Sequence, residues 1–382
     1  MSQGGPGMIG GWAPGSKGAL ALSAVSSYPV AMSHAANFQR LDSLLRGVSR
    51  SFYLTLKIVP RGLRRQLSTG YLFCRAADTI ADTRLLPPKE RLEHLKRYRA
   101  QFQTEKPSAD DLEKIASRLA SSEVASPREW ELLRRLGECF DVYRDFEPGD
   151  RALIRRLVST LTLGMEMDLE RFPAEESGRV EPLESLEDFD RYCYYVAGCV
   201  GEFWTDLQCA HLRSLDHWDR ESFRQKGIRF GKGLQATNIL RDVDRDLEIG
   251  RCYLPRAFLD EHGLTCEELR DRRDRSAVRP IVHQLIRWTL DHYQCGWAYT
   301  LAIPRRLVSL RLSCTWPLWI GLRTLALLAA AEDPCAPGTV CKISRPEVRR
   351  LIRASVVRVL SNHALDRVYR TLEGEVRRAL ER

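Results

Sequence analysis

The chain has 382 residues, of which 44% are hydrophobic and 29% charged, a profile typical of a soluble globular protein. Its net charge of +9 would suit nucleic acid, but the basic residues are interspersed among 50 acidic ones and form no recognised nucleic-acid-binding motif. We therefore expect no nucleic-acid partner. The 11 cysteines are scattered, without CxxC or zinc-type spacing, which is typical of free thiols in a reducing cytosol and predicts a cytoplasmic protein.

Residues 1–35 are rich in Gly, Ser, Ala and Pro and are predicted to be a disordered tail without a signal peptide. From about residue 38 the apolar residues recur at helical spacing, and no hairpin signal or sustained alternation indicates a sheet. No linker divides the helices, so we predict one all-α domain over residues 36–361, followed by a basic helical tail, 362–382. The longest apolar run contains Arg323 and is expected to be a core helix rather than a membrane span.

Prolines, glycines and capping residues mark the ends of the predicted helices. In chain order these helices cover residues 37–58, 63–83, 89–103, 126–146, 150–171, 185–212, 218–249, 280–303, 305–331 and 344–360. Within the helix at 185–212, Gly198 and Gly201 leave a strip of bare backbone. A neighbouring helix or an apolar ligand would fit that strip equally well.

One narrow stripe of polar residues runs along the predicted helix at 218–249. At about 100° per residue, its members fall on one face: Gln235, Asn238, Asp242 and Asp246. Two carboxylates four residues apart repel each other, and a bound cation removes that repulsion. A single Asp-x-x-x-Asp is nevertheless more often a solvated helix face than a metal site.

A second copy of the stripe changes this interpretation. The residues Tyr71, Arg75, Asp78 and Asp82 occupy almost the same angular positions on the helix at 63–83. Two such helices facing each other would present four carboxylates, which suit Mg²⁺ together with substrate phosphates. The arginines beside them suit an anionic, bidentate ligand such as diphosphate. The sequence therefore predicts a magnesium-dependent site for a diphosphate.

These segments resemble the squalene/phytoene synthase family, the head-to-head prenyltransferases. The matching segments are SRSFYLTLKIVP from Ser49, YLFCRAADTIAD from Tyr71, YCYYVAGCVG from Tyr192 and QATNILRDVDRDLEIGRCYLP from Gln235. Two further segments, RLSCTWPLWIGLRTL from Arg311 and CKI from Cys341, are similar to the carboxy-terminal part of squalene synthases. The resemblance covers about residues 38–360 and implies an isoprenoid-synthase helical bundle around a central cavity.

The resemblance also implies roles for individual residues. It implies that Mg²⁺ is bound by Asp78, Asp82, Asp242 and Asp246. It implies that the prenyl diphosphate substrate is bound by Ser49, Arg50, Ser51, Phe52, Tyr71, Arg75, Gln235, Asn238, Arg241 and Arg251. By the same resemblance Tyr195 takes part in proton removal during the first half-reaction, and Lys342 and Arg345 bind the phosphate of NADPH.

The activity implied is that of the squalene synthase branch. Two farnesyl diphosphates are joined to presqualene diphosphate with Mg²⁺, and NADPH then reduces the rearranged cation to squalene. Ala81, Arg245 and Ser313 depart from the pattern of that branch, which leaves a non-reducing synthase of phytoene, dehydrosqualene or presqualene diphosphate as the alternative. We further expect a monomer, with peripheral membrane contact through the basic carboxy-terminal helices.

Overall fold

The computed structural model describes residues 41–48, 56–83, 86–104, 106–120, 127–172, 180–271, 276–336 and 341–382. Within these ranges helices dominate, which confirms the predicted all-α class. The predicted tail at 1–35 and the predicted substrate residues Ser49, Arg50, Ser51 and Phe52 lie outside the described residues, as does part of the helix predicted at 37–58.

The helices of the first half follow two short helical stretches at 41–48 and 56–58. They are α1 (Arg61–Asp82), α2 (Pro88–Ala100), α3 (Ala109–Ala120), α4 (Pro127–Arg134), α5 (Leu136–Arg144), α6 (Pro148–Arg171), α7 (Leu186–Cys193) and α8 (Cys199–His211). The helices of the second half are α9 (Arg220–Glu248), α10 (Arg256–Glu261), α11 (Cys266–Asp271), α12 (Arg279–Ala302), α13 (Val308–Ala330), α14 (Arg345–Arg358) and α15 (Asn362–Leu380). A π-helical segment, Tyr194–Gly198, joins α7 to α8, and 3₁₀ turns lie at Arg213–Leu215 and Ser276–Val278.

Three details differ from the sequence-based expectation. The helix predicted over 126–146 is divided at Arg135, whose backbone leaves the helical region and whose guanidinium pairs with Glu131 and Glu138. Helices α3, α10 and α11 were not predicted. The expectation of no sheet is wrong for two short strands, β1 (Glu181–Leu183) and β2 (Arg251–Pro255), which pair in parallel. β1 has only three residues, too few to show alternation. β2 does not alternate, because its last four residues are all buried.

The core consists of two clusters of buried side chains. One gathers apolar residues of α9, α12, α13 and α15. The other gathers those of α1, α2, α5 and α6, together with Cys199, Phe203 and Leu207 of α8. Trp204 of α8 packs against both clusters, so α8 joins the two halves into one body.

The membrane-length helix α13 is part of this core. By length and composition it is the only helix in the described part of the chain able to cross a membrane, yet 72% of its apolar stretch is buried inside the protein. The stretch predicted as a basic tail, 362–382, includes α15, which packs against α13. The Tyr369 ring of α15 is fully buried and stacks on Trp297 with 4.5 Å between centroids.

The glycine strip is occupied by a neighbouring helix. A methyl group on Gly201 would overlap the carbonyl of Gly227, and one on Gly231 would overlap the carbonyl of Ala197. Helix α9 therefore lies directly against the π-helical segment and α8. At these positions the close approach of two backbones, rather than a ligand, requires glycine.

This contact gives a stability prediction. Gly201→Ala should lower the free energy of unfolding by about 3 kcal/mol, because backbone atoms on both sides must move apart. The matched control is Gly137→Ala, since Gly137 lies in α5 with nothing near its added methyl group; it should be neutral or slightly stabilising. Urea unfolding followed by circular dichroism measures both. Equal midpoints for the two variants would contradict the backbone contact.

Candidate active site

The first acidic stripe lies at the C-terminal end of α1. Arg91 of α2, which is fully buried, donates from Nη1 to the carbonyl of Ala81 at 2.9 Å and so holds this end of the helix. Arg75 lies 3.7 Å from Asp78 (Nη1 to Oδ2) and also donates to Glu129. Asp82 is largely open to solvent, with 69% of its side chain exposed. The stripe therefore combines an arginine with two carboxylates that a ligand can reach.

The Tyr71 hydroxyl extends this stripe towards the start of the chain. It donates to the carbonyl of Val48 at 3.3 Å. Burial raises the pKa of Tyr71 to about 12, so the side chain stays a neutral hydrogen-bond donor.

The second acidic stripe lies in the C-terminal half of α9. Arg241 donates from Nε to Oδ1 of Asp242 at 2.8 Å and from Nη2 to the other carboxylate oxygen. On the same face Gln235 is half-buried and Asn238 is exposed. The described stripe residues thus fall on two helices, as predicted, and each stripe has its own arginine.

Repulsion between carboxylates is evident in both stripes. Burial, together with the like charge of Asp82, raises the pKa of Asp78 to about 7. Burial and the charge of Asp242 likewise raise the pKa of Asp246 to about 7. One carboxyl in each stripe therefore exchanges its proton near neutral pH, where a cation would compete for the same oxygens.

Arg251 connects the two stripes. It follows Gly250, whose positive φ of 79° turns the chain at the end of α9 into β2. Its Nη1 lies 3.9 Å from Oδ1 of Asp82 and 3.1 Å from Oδ2 of Asp168. The same guanidinium also acts on Asp246, where it opposes the rise in pKa. The two stripes consequently share one cleft, with Arg251 between them.

Asp168 is a site residue that sequence reasoning missed. Only 9% of its side chain is exposed, and both of its carboxylate oxygens lie 3.0 Å from the hydroxyl of Tyr253. Tyr253 in turn stacks on Tyr192, with 4.5 Å between centroids. A single aspartate in an amphipathic helix gives no signal in the sequence, because its partners come from β2.

Tyr195 borders a cavity of about 310 Å³ between α6, β1 and α7. The residue lies in the π-helical segment, and its Cβ packs directly against Gly164 of α6. Asp168 and Tyr192 line the same cavity. Tyr195 and Asp168, the partner of Arg251, therefore border the same space.

The donor set of the cleft fits Mg²⁺. Carboxylate oxygens are the ligands that this ion prefers, and it usually takes one or two of them together with substrate phosphates. Among the described residues no three His, Cys, Asp or Glu side chains lie close enough to hold a metal by themselves. Asp78 with Asp82, and Asp242 with Asp246, would therefore each hold an ion that a diphosphate completes.

Lys342 and Arg345 lie apart from the aspartates. Both are exposed, at and just before the start of α14. Glu347 of that helix accepts a hydrogen bond from Arg323 of α13 at 2.6 Å. Two residues earlier in α13, Gly321 packs against Tyr293 of α12. The hydroxyl of Tyr293 in turn hydrogen-bonds the hydroxyl of Thr237 in α9. The start of α14 therefore lies level with the middle of α9 rather than beside the aspartates.

Comparisons with known proteins identify the family of the chain. The family model described as squalene/phytoene synthase matches residues 45–350. The squalene synthase of Eremothecium gossypii is 25% identical over 299 residues, 78% of this chain and 63% of that protein. The presqualene diphosphate synthase of Rhodopseudomonas palustris is 29% identical over 261 residues, 68% of this chain and 77% of that protein.

Other matches show the limits of the likeness. The chain spans only 39% of the length of the bifunctional lycopene cyclase/phytoene synthase of Colletotrichum graminicola that it matches. The solved complex of TcSQS with the ligand E5700 superposes with a TM-score of 0.68 at 22% identity, covering 90% of this chain and 98% of that one. That structure supports the helical fold of this family. The chain therefore belongs to the squalene/phytoene synthase family.

Proposed function

We propose that this synthase is of the squalene type: it joins two farnesyl diphosphates to presqualene diphosphate and then reduces the rearranged product to squalene with NADPH. The observation that carries the first half is the shared cleft, in which two aspartate pairs and three arginines surround one space. The second half is supported by Lys342 and Arg345, two exposed cations at the start of α14 that would suit a nucleotide phosphate.

The residues of the cleft suit diphosphate departure. Mg²⁺, when bound, supplies positive charge to the leaving oxygens. Arg75, Arg241 and Arg251 add donors around the same space, so the charge that develops on the diphosphate is stabilised as it forms. Tyr195 borders the adjoining cavity, where its hydroxyl would relay a proton: it would accept one from the prenyl cation and pass its own to the departed diphosphate, which acts as the base.

A non-reducing synthase is the second candidate, and two observations favour it. Ser313 is buried, and its hydroxyl donates to Ser309 of its own helix at 2.9 Å, so it offers no aromatic face to a cation. Ala81 is buried in the core, so no third acid reaches the first stripe from there. Both positions bear on the later steps of the reaction rather than on the first condensation.

Product identification separates the two candidates. The purified protein is incubated with farnesyl diphosphate and Mg²⁺, with and without NADPH. Squalene formed only with NADPH supports the proposal, whereas presqualene diphosphate or an unreduced hydrocarbon in both tubes would replace it with the second candidate. If farnesyl diphosphate is not consumed, geranylgeranyl diphosphate is the next substrate, and its turnover would contradict the proposed chain length.

Lys342→Ala should weaken the use of NADPH and spare the first half-reaction. Loss of one charged phosphate contact is expected to raise the KM for NADPH about tenfold, which corresponds to about 1.4 kcal/mol. The rate of diphosphate release without NADPH should stay unchanged. Lys226→Ala is the control, because that lysine contacts Ser222 and Phe223 at the start of α9. Equal loss of both half-reactions in Lys342→Ala would refute the assignment.

The raised carboxyl pKa values give a pH prediction. Asp78 and Asp246 titrate near 7 in the folded chain and near about 4 when unfolded, so the folded state binds more protons between those values. The stability of the metal-free protein should therefore fall as the pH rises from about 5 to about 7.5. Adding Mg²⁺ with inorganic diphosphate should raise the melting temperature more at the higher pH.

Differential scanning fluorimetry with a chelator, and then with Mg²⁺ and diphosphate, measures both effects. The double variant Asp78→Asn/Asp246→Asn should lose most of the pH slope and of the response to Mg²⁺. A wild-type protein whose stability rises with pH over this range would show that these carboxyls are not the groups that titrate.

A further inference from the structure

A surface of aliphatic and basic side chains lies at one end of the bundle, away from the cleft. Its apolar members stand on the exposed face at the end of α14: Val356, Val357 and Leu360 are 51%, 83% and 62% exposed. Its basic members are Arg349 and Arg353 of α14, with Arg305 and Arg306 of the turn between α12 and α13, all of them exposed. We call these seven residues the distal patch.

Arg311 holds the two segments of the distal patch together. This fully buried side chain donates from Nη1 to the carbonyl of Ile303 at 2.6 Å and from Nε to the carbonyl of Val359 at 3.0 Å. Its Nη2 donates to Oδ1 of Asn362 at 2.6 Å. One guanidinium thus spans the turn after α12 and the turn after α14, so Leu360 and the arginines of the other turn lie side by side.

The patch has a single sign of charge. Residues 301–315 and 348–365 contain no Asp or Glu. Within the part of the chain that the structure describes, the four arginines of the patch form no ion pair, whereas Arg350 beside them is paired with Glu347. Unneutralised arginines around exposed aliphatic tips are typical of a surface that meets anionic lipid headgroups.

The patch and the cleft occupy opposite ends of α9. Tyr299, near the end of α12, packs on Phe223 in the first turn of α9 with 5.9 Å between ring centroids. Asp246 lies 23 positions further along the same helix, which corresponds to about 35 Å. A bilayer seated on the distal patch would leave the aspartate stripes open to the aqueous phase.

We propose that the distal patch docks the enzyme on the surface of an anionic bilayer. The aliphatic tips enter the headgroup boundary, and the arginines extend to lipid phosphates while their stems stay apolar. A second copy of the chain fits the patch poorly, because a two-fold contact would bring like-charged arginines against each other. The proposal concerns attachment alone and does not depend on which product the cleft makes.

Vesicle flotation of the full chain tests the proposal. The probes are phosphatidylcholine vesicles with and without phosphatidylglycerol, each at low and at high salt. The wild type should float with the anionic vesicles at low salt and be released by high salt. The variant Val356→Ser/Val357→Ser/Leu360→Ser should reduce the bound fraction on the anionic vesicles at least about tenfold.

Charge reversal tests the basic half of the patch. Arg349→Glu/Arg353→Glu should also lower binding at least about tenfold, whereas Lys106→Glu/Lys114→Glu, which makes the same charge change at exposed positions near α3, should keep it. Circular dichroism and diphosphate release in solution should be unchanged in all variants, because none of the altered residues lies in the cleft.

Three results would overturn the proposal. The wild type could stay in the soluble fraction with anionic vesicles at low salt. The lysine control could lose as much binding as the arginine variant, which would show attraction by net charge alone. Finally, the serine variant could float as well as the wild type. If sedimentation also showed that the wild type is a dimer and the serine variant a monomer, the patch would be assigned to a second copy of the chain.

Discussion

Asp78→Asn and Asp242→Asn are each expected to reduce kcat at least about a thousandfold. Each change removes a carboxylate that would bind Mg²⁺ while keeping the size of the side chain. The loss of metal-stabilised leaving-group charge corresponds to about 4 kcal/mol or more in the transition state. Diphosphate release from farnesyl diphosphate measures the rate. Both side chains lie in the open cleft, so helix content should be preserved.

The control is Glu248→Gln, an exposed carboxylate at the end of the same helix as Asp242 but on another face. It should retain nearly full activity. A collapsed circular dichroism spectrum in the aspartate variants would mean that the stripes serve the fold. Normal turnover in a correctly folded Asp78→Asn protein would exclude this stripe from metal binding.

Arg251→Lys should lower kcat/KM for farnesyl diphosphate at least about a hundredfold, although the charge is kept. The guanidinium lies near Asp82 and Asp168 at once and holds several donors in one rigid plane, which a lysine ammonium on a flexible stem does not. The matched control is Arg256→Lys, five residues later, where the arginine pairs with Glu184 at the surface with a distance of 2.9 Å. That change should cost less than about twofold.

The melting temperature of the Arg251→Lys variant distinguishes a role of Arg251 in substrate binding from a role in stabilising the fold. If Arg251 acts mainly on substrate, the lysine variant keeps its melting temperature to within a few degrees and responds weakly to added diphosphate and Mg²⁺. A large fall in melting temperature with a normal KM would instead assign Arg251 to the neutralisation of the buried Asp168 carboxylate.

Local patterns were enough to predict most of the longer helices and the two stripes. Asp78 and Asp82 recur at the spacing of Asp242 and Asp246, and that repetition could be recognised without any knowledge of tertiary structure. The starts of α7 and α14 followed from capping residues: Ser185 accepts from the backbone of Asp188, and Ser344 from that of Glu347. Such features depend on residues a few positions apart.

The rest of the cleft depends on contacts between distant parts of the chain. Asp168 meets Tyr253 across 85 positions, and nothing in α6 alone distinguishes it from a surface carboxylate. The glycine strip shows the same limit. Its sequence permits a helix neighbour or a ligand, and only the placement of α9 against Gly201 decides between them.

The parallel pairing of β1 with β2 has a consequence for the order of assembly. Glu181 pairs with Arg251, so the contact closes a loop of about seventy residues that contains α7, α8 and α9. Contacts of such long range form only after their connecting segments have become compact. We therefore expect Arg251 to reach Asp82 and Asp168 late in folding, so that the proposed diphosphate site is completed only after α7, α8 and α9 have packed.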